Sequence, residues 1–128
     1  MRALKLVGAA VVAASLTACG GGGGGFGLSD YYGSIAVNKL TGAAGITANY
    51  NSQWEANMDA INTCGGLCVT VLEFGPYQCG SLARSQSGPL VLGWASKGDL
   101  YDSKIAAISE CTARGGLNCE YMLAECNN

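Results

Sequence analysis

No histidine occurs anywhere in the 128 residues. That absence removes Ser-His-Asp and Cys-His nucleophilic machinery, which needs an imidazole base, and every zinc site built on histidine. Charge is scarce too: seven Lys and Arg against nine Asp and Glu, for a net charge of −2. A weakly acidic chain without clustered basic residues has little with which to displace counterions from a nucleic acid, so nucleic acid is not expected as a partner. The apolar run at residues 6–14 is shorter than the about 20 residues that span a bilayer. Glycine and cysteine, by contrast, are plentiful, at 20 and 7 residues. So many cysteines in so short a chain point to an oxidising compartment, and the length supports one domain.

Arg2 and Lys5 precede that apolar run, and Ser15, Leu16, Thr17, Ala18 and Cys19 follow it. A charged start, a short apolar middle and small residues at a cleavage site describe a secretory signal peptide, here residues 1–18. Leu16-Thr17-Ala18-Cys19 resembles the bacterial lipobox, which implies that Cys19 becomes lipidated and is the first mature residue. Acyl chains bury about 0.8 kcal/mol per methylene, and two or more hold stably, so the expected partner of this end is a lipid bilayer. Gly20 stands where an aspartate would retain a lipoprotein at the inner membrane, which favours the outer membrane, periplasmic side, in a two-membrane bacterium. Residues 19–30 then read as the lipidated cysteine and a glycine-rich tether with a reach of roughly 18 Å. A phosphate-binding loop does not fit, because no strand precedes the glycines and no Lys-Ser pair follows them.

Residues 31–128 read as the domain, and they repeat internally. Gly33-Ser34-Ile35-Ala36 returns as Gly80-Ser81-Leu82-Ala83, and the same spacing relates Trp54 to Tyr101, Met58 to Ile105, Ile61 to Ile108, Cys64 to Cys111 and Cys79 to Cys126. The repeats run over about 32–79 and 80–126. Each predicts a strand (32–37, 80–84), a glycine-containing turn, a second strand (43–50, 90–95), a helix, and a third strand (68–74, 119–123). Ser52 to Glu55 has the spacing of a capping box, and Asp99 can cap the second helix. The positions 54, 58, 61 and 101, 105, 108 predict one apolar stripe per helix, with Trp54 in the core. The expected fold class is α+β, two pseudo-symmetric ββαβ repeats forming one small disulfide-bonded domain.

Six mature cysteines allow 15 pairings, and spacing alone does not choose among them. The arrangement that respects the repeat pairs Cys64 with Cys68 and Cys111 with Cys119, leaving Cys79 with Cys126 to staple half to half. A four-cysteine zinc site fits poorly, since the cysteines are spread over the repeat ends of an exported chain; no metal or other cofactor is expected.

The sequence resembles the bacterial family known as domain of unknown function 4189, a small exported domain. The resemblance spans about residues 31–126. It rests on Tyr32-Gly33-Ser34-Ile35-Ala36, Thr41-Gly42 with Gly45, Tyr50-Asn51-Ser52, Ala56, Ala60, Cys64, Cys68, Phe74, Cys79-Gly80-Ser81-Leu82-Ala83, Gly93-Trp94, Cys111, Cys119 and Cys126. Glu73, Gly75-Pro76 and the acidic stretch around Glu120 and Glu125 depart from the family pattern. The family implies the fold and no activity.

Catalysis has few candidates. Glu73 and Glu120 on strands could form a carboxylate pair acting on glycans, while Glu55, Asp99 and Asp102 have capping roles and Asp59 and Glu110 belong on solvated helix faces. Ser34 and Ser81 lack a base, since Lys39, Lys97 or Lys104 would have to be desolvated beside them; small residues there serve close packing. Tyr77, in the turn-rich stretch between the repeats, and Trp94 are the candidate contacts for a protein partner or glycan. The expectation is therefore a membrane-anchored lipoprotein of the bacterial cell envelope with no catalytic residues, a binding or inhibitor/immunity-like module whose partner is an envelope protein or peptidoglycan. The alternatives are a glycan-acting hydrolase and a peptidoglycan-binding structural module.

Overall fold

The computed structural model describes residues 30–128. The signal peptide, Cys19 and all but the last residue of the expected tether lie outside the described residues. Within them the elements follow in the order β1 (Tyr32–Val37), β2 (Ala44–Tyr50), α1 (Gln53–Cys64), β3 (Val69–Phe74), β4 (Cys79–Arg84), β5 (Leu92–Lys97), α2 (Leu100–Ala113) and β6 (Glu120–Cys126). The class is α+β, with one antiparallel sheet per repeat, ordered β2-β1-β3 and β5-β4-β6.

Strand alternation explains how these pieces stack. In β1, Ile35 and Val37 point to one face and Ser34 and Ala36 to the other. Ile35 and Val37 meet Phe74, Leu82 and Leu92 in a cluster between the two sheets. Ala36 instead packs with Ala60 and Cys64 of α1, and Ala83 with Ala107 and Cys111 of α2. The layers are therefore helix, sheet, sheet, helix. Between the sheets β3 meets β5, β2 meets β6, and β1 meets β4 at the centre, as a local twofold axis requires. Burying each large side chain of the central cluster contributes about 1.5–3 kcal/mol, so this seam is the main apolar support. Phe74 sits on the axis: its ring lies where a Cβ on Gly33 or Gly80 would go. The two glycines of the repeated Gly-Ser motif leave room for one phenyl ring.

Local chemistry sets the ends of the helices. The Ser52 side chain accepts from the Glu55 N–H and Asp99 from the Asp102 N–H, both at 3.1 Å. Gly65, at φ 123°, caps α1, with its N–H reaching Ile61 O and Asn62 O. A left-handed position of this kind favours glycine.

Three expectations need correction. The apolar stripes face inward only at Ile61 and Ile108, which pack partly buried beside the small-residue clusters; Trp54 is 70% exposed and Tyr101 69%, with Met58 and Ile105 also exposed, so Trp54 is not core. The buried faces are Ala56, Ala60, Cys64 and Ser103, Ala107, Cys111. Steric closeness is the reason. A Cβ on Gly45 would overlap Ala60 O and stand 2.8 Å from Cys64 N, and a Cβ on Gly93 would overlap Cys111 N and stand 2.6 Å from Ala107 O. Helices this near their sheets have no room beneath them for Trp or Met.

All three expected cysteine pairings are present, and the second correction concerns only the role of one of them. The structure joins Cys64 to Cys68, Cys111 to Cys119 and Cys79 to Cys126. The last bond does not staple half to half, because Cys79 opens β4 and faces Cys126 of β6 within the second sheet. It closes a 47-residue separation around the whole second repeat. Third, the strand bounds shift: β5 starts at Leu92, and β6 runs on to Cys126. Upstream of β5, Ser85 holds the chain, its Oγ donating to Pro89 O and accepting from Val91 N–H.

The repeated serines differ in one respect. Ser103 Oγ donates to Leu100 O, which leaves Ser81 to donate to Ser103 Oγ at 2.6 Å. In the first repeat Ala56 occupies the place of Ser103, and Ser34 Oγ is buried without a partner. Ser34→Ala is therefore expected to stabilise the protein by about 1 kcal/mol and Ser81→Ala to destabilise it by about as much. Urea unfolding of both variants reads this, and equal losses from the two would contradict the difference.

Candidate functional site

A departure from symmetry lies at one end of the sandwich. Ile46 faces Ile35 in the first sheet, and Trp94 faces Leu82 in the second, so the two are structural counterparts. Trp94 is half-buried against the central cluster. Its ring is covered by two cations. The Arg114 guanidinium stands 4.2 Å from the ring centroid and Lys39 Nζ 5.7 Å. Lys39 comes from the β1–β2 turn of the first repeat, and Arg114 caps α2 of the second. With Leu90, Val91 and Leu92 they line a cleft of about 220 Å³.

The elements place these groups for separable reasons. Asn38 Oδ1 accepts from Leu40 N–H and Thr41 N–H, which folds the turn that presents Lys39. Gly42, at φ 83°, closes the turn, and a Cβ there would stand 3.3 Å from both the Arg84 guanidinium and Leu90. Arg84 packs against this turn and is not among the residues that line the cleft. Arg114 sits at the carbonyl end of α2, where a cation complements the helix dipole. The described residues hold five Lys and Arg, and two of them meet over this ring in a chain of net charge −2.

Counter-charge is sparse. The single ion pair within 4.0 Å among the described residues joins Arg114 to Glu110 at 3.9 Å, both exposed. An exposed pair of this kind is worth about 0–1 kcal/mol. Cation–π attraction offsets part of the repulsion between Lys39 and Arg114. An anion between them would remove the rest. The arrangement can bind an anionic group against an aromatic and aliphatic wall. It brings no carboxylate, hydroxyl or thiol to that wall that could act as base or nucleophile.

The other candidates fall elsewhere. Glu73 lies on β3, the edge that meets β5, and Glu120 on β6, the edge that meets β2. The two carboxylates thus stand on opposite flanks, and Glu73 accepts from Asn57 Nδ2 at 2.6 Å. The carboxylate pair of a glycosidase is not assembled. A wider depression of about 460 Å³ runs along Thr70, Val71, Leu72 and Glu73. One edge strand walls it, so no groups converge there. Ser34 and Ser81 are fully buried. Tyr77 is 74% exposed at φ 60° on the turn before β4, at the end of that strand away from the cleft. The structure therefore separates Tyr77 from Trp94. Among the described residues no three His, Cys, Asp or Glu gather as a metal would need, and no helix is long and apolar enough to cross a membrane.

One ionisable group is clearly perturbed. The Tyr50 hydroxyl donates to Asp59 Oδ2. That bond, then burial, then the negative charges of Asp59 and Glu55 raise its pKa above the usual 10.0. A raised value means that the folded state holds the proton more tightly than the unfolded chain. The resulting stability is complete below pH about 10 and is lost as pH rises through the folded value. Above pH 10 the unfolding free energy should fall further in the native protein than in Tyr50→Phe. Alkaline titration by near-ultraviolet absorbance should show Tyr50 ionising late.

The cleft was not legible as a site, because its cations are isolated in sequence and share no spacing. One signal was present. Gly65-Gly66 follows Cys64 directly, whereas Thr112-Ala113-Arg114 intervenes between Cys111 and Gly115-Gly116. Arg114 belongs to that insertion, which lengthens α2 to 14 residues against 12 in α1.

The fold and its cysteine framework define a small, disulfide-bonded, duplicated domain. The chain belongs to the family described as domain of unknown function (DUF4189), whose model matches residues 32–126. No curated protein and no solved structure matches it.

Proposed function

We propose that this protein is a non-catalytic binding module of the bacterial cell envelope. Its lipidated Cys19 anchors it to a membrane, and it engages an anionic group of its partner in the Trp94 cleft. The observation that carries the reading is the gathering of Lys39 and Arg114 about one indole ring, with a single weakly paired carboxylate to balance them. The partner is an envelope protein, which the module holds as an inhibitor or immunity-like protein does. A durable cross-linked body with no base or nucleophile at its cleft suits occlusion better than turnover.

The test uses the full lipidated chain in mild detergent against envelope extract. Trp94→Ala and Arg114→Gln should each reduce partner recovery at least tenfold, and Tyr77→Ala should leave it within twofold. Recovery unchanged by both cleft variants would overturn the site. Sedimentation with purified peptidoglycan in the absence of any partner protein would replace the protein partner with the wall.

A further inference from the structure

We infer that the Trp94 cleft reads the free carboxylate at the end of a peptide chain, an inference that rests on the binding role proposed above and names its ligand chemistry. Charge comes first. Lys39 and Arg114 supply two positive charges to the ring, and Glu110 at 3.9 Å from Arg114 offsets one of them. The remainder balances a monoanion such as a carboxylate better than a phosphate dianion. Geometry comes next. A guanidinium is a planar fork that matches the two oxygens of a carboxylate, and stacking on an indole pre-sets its plane.

Size and lining then limit what carries the anion. About 220 Å³ lies below the roughly 300 Å³ at which pockets begin to enclose whole drug-sized molecules. The cleft seats one terminal residue and leaves the rest of the ligand outside. Its remaining walls, Leu90, Val91 and Leu92, are aliphatic, so the anion must arrive on a small apolar body rather than as a bare ion. The terminal residue of a peptide, with a short side chain, meets both demands.

The pseudo-symmetry supplies an internal comparison. Where the second repeat has Trp94, the first has Ile46, and the insertion bearing Arg114 has no counterpart after Cys64. Position 86, which the repeat relates to Lys39, is Gln86. The matching place in the other half therefore lacks both the aromatic face and the cations. One scaffold presents the geometry twice and the chemistry once, so the chemistry is not a requirement of the fold.

The experiment uses the full chain carrying Trp54→Phe, which leaves Trp94 as the single tryptophan and alters an exposed residue on α1 outside the cleft. Its emission is followed during titration with N-acetyl-trialanine, the same peptide as a C-terminal amide, and inorganic phosphate. The free acid should give a saturable change, with the amide and phosphate each at least tenfold weaker. Arg114→Gln should weaken the free acid at least tenfold and leave the amide within twofold. A D-alanine version of the acid distinguishes sources: preference for it indicates a peptidoglycan stem, and preference for the L form indicates a polypeptide end. Equal binding of acid and amide, equal binding of phosphate, or no saturable change would overturn the inference. Equal acid and amide binding leaves the cleft as the partner site, whereas envelope capture indifferent to Trp94→Ala removes the site itself.

Discussion

Replacing Gly93 with alanine should lower the unfolding free energy by about 3 kcal/mol, the upper range for forcing extra volume into a packed interior. The added methyl would overlap Cys111 N and crowd Ala107 O and Cys111 Cα, all of them backbone atoms of α2. Backbone cannot rotate away as a side chain would, so the whole helix must rise from the sheet. The gain of about 0.4–1 kcal/mol from a less flexible unfolded chain is too small to offset this. Gly45→Ala should behave alike, because its methyl would meet Ala60 O and Cys64 N of α1. Gly75→Ala is the control, with nothing within 4 Å of the new carbon. Urea unfolding should show a lower midpoint for the first two variants at unchanged slope. A Gly93→Ala midpoint matching that of Gly75→Ala would refute the close approach.

Removing the long disulfide should cost more. Cys79 and Cys126 are separated by 47 residues. Closing a loop of that length restricts the unfolded chain by about 4 kcal/mol in the chain-entropy account. The four- and eight-residue separations of Cys64–Cys68 and Cys111–Cys119 restrict it by about 2 and about 2.5 kcal/mol. The paired variant Cys79→Ala/Cys126→Ala should thus lose about twice what Cys64→Ala/Cys68→Ala loses, measured as the difference in denaturant midpoint. The bond lies between directly opposed residues of β4 and β6. Its loss therefore also frees the last residues of β6, beside which Asn127 bridges the two halves. The Asn127 side chain donates to Phe74 O and Gly75 O and accepts from the Asn49 N–H. A smaller loss for the long bond than for the short one would contradict the entropic ranking.

Much of the architecture was legible because its signals are local and occur twice. Alternating strands, glycine turns and the capping residues Ser52 and Asp99 each report on a few neighbouring residues, and the spacing from Cys64 to Cys111 aligned the two copies. The helix faces were misread for a physical reason. Periodicity identifies a stripe and does not say how near the helix lies to what it covers. Both helices carry two stripes, one large and one small, and the distance to the sheet decides between them. Gly45 and Gly93 on the facing strands held that information. Paired with Ala56, Ala60 and Cys64, and with Ser103, Ala107 and Cys111, they describe backbones in near contact. The cleft was illegible because Lys39, Trp94 and Arg114 come from three separate parts of the chain and become neighbours only after the sheets stack.

The helices that rest on their sheets through alanine, serine and cysteine remove little hydrocarbon from water as they dock. Their attachment relies on proximity and on a sulfur link from the last turn of each to the chain that follows. These outer layers are therefore the low-stability units of the molecule, while the seam around Ile35, Leu82 and Phe74 sets its global stability. Under a mild reductant, amide exchange should quicken in the helices first, and the paired sheets should persist as a protected residue of the native state.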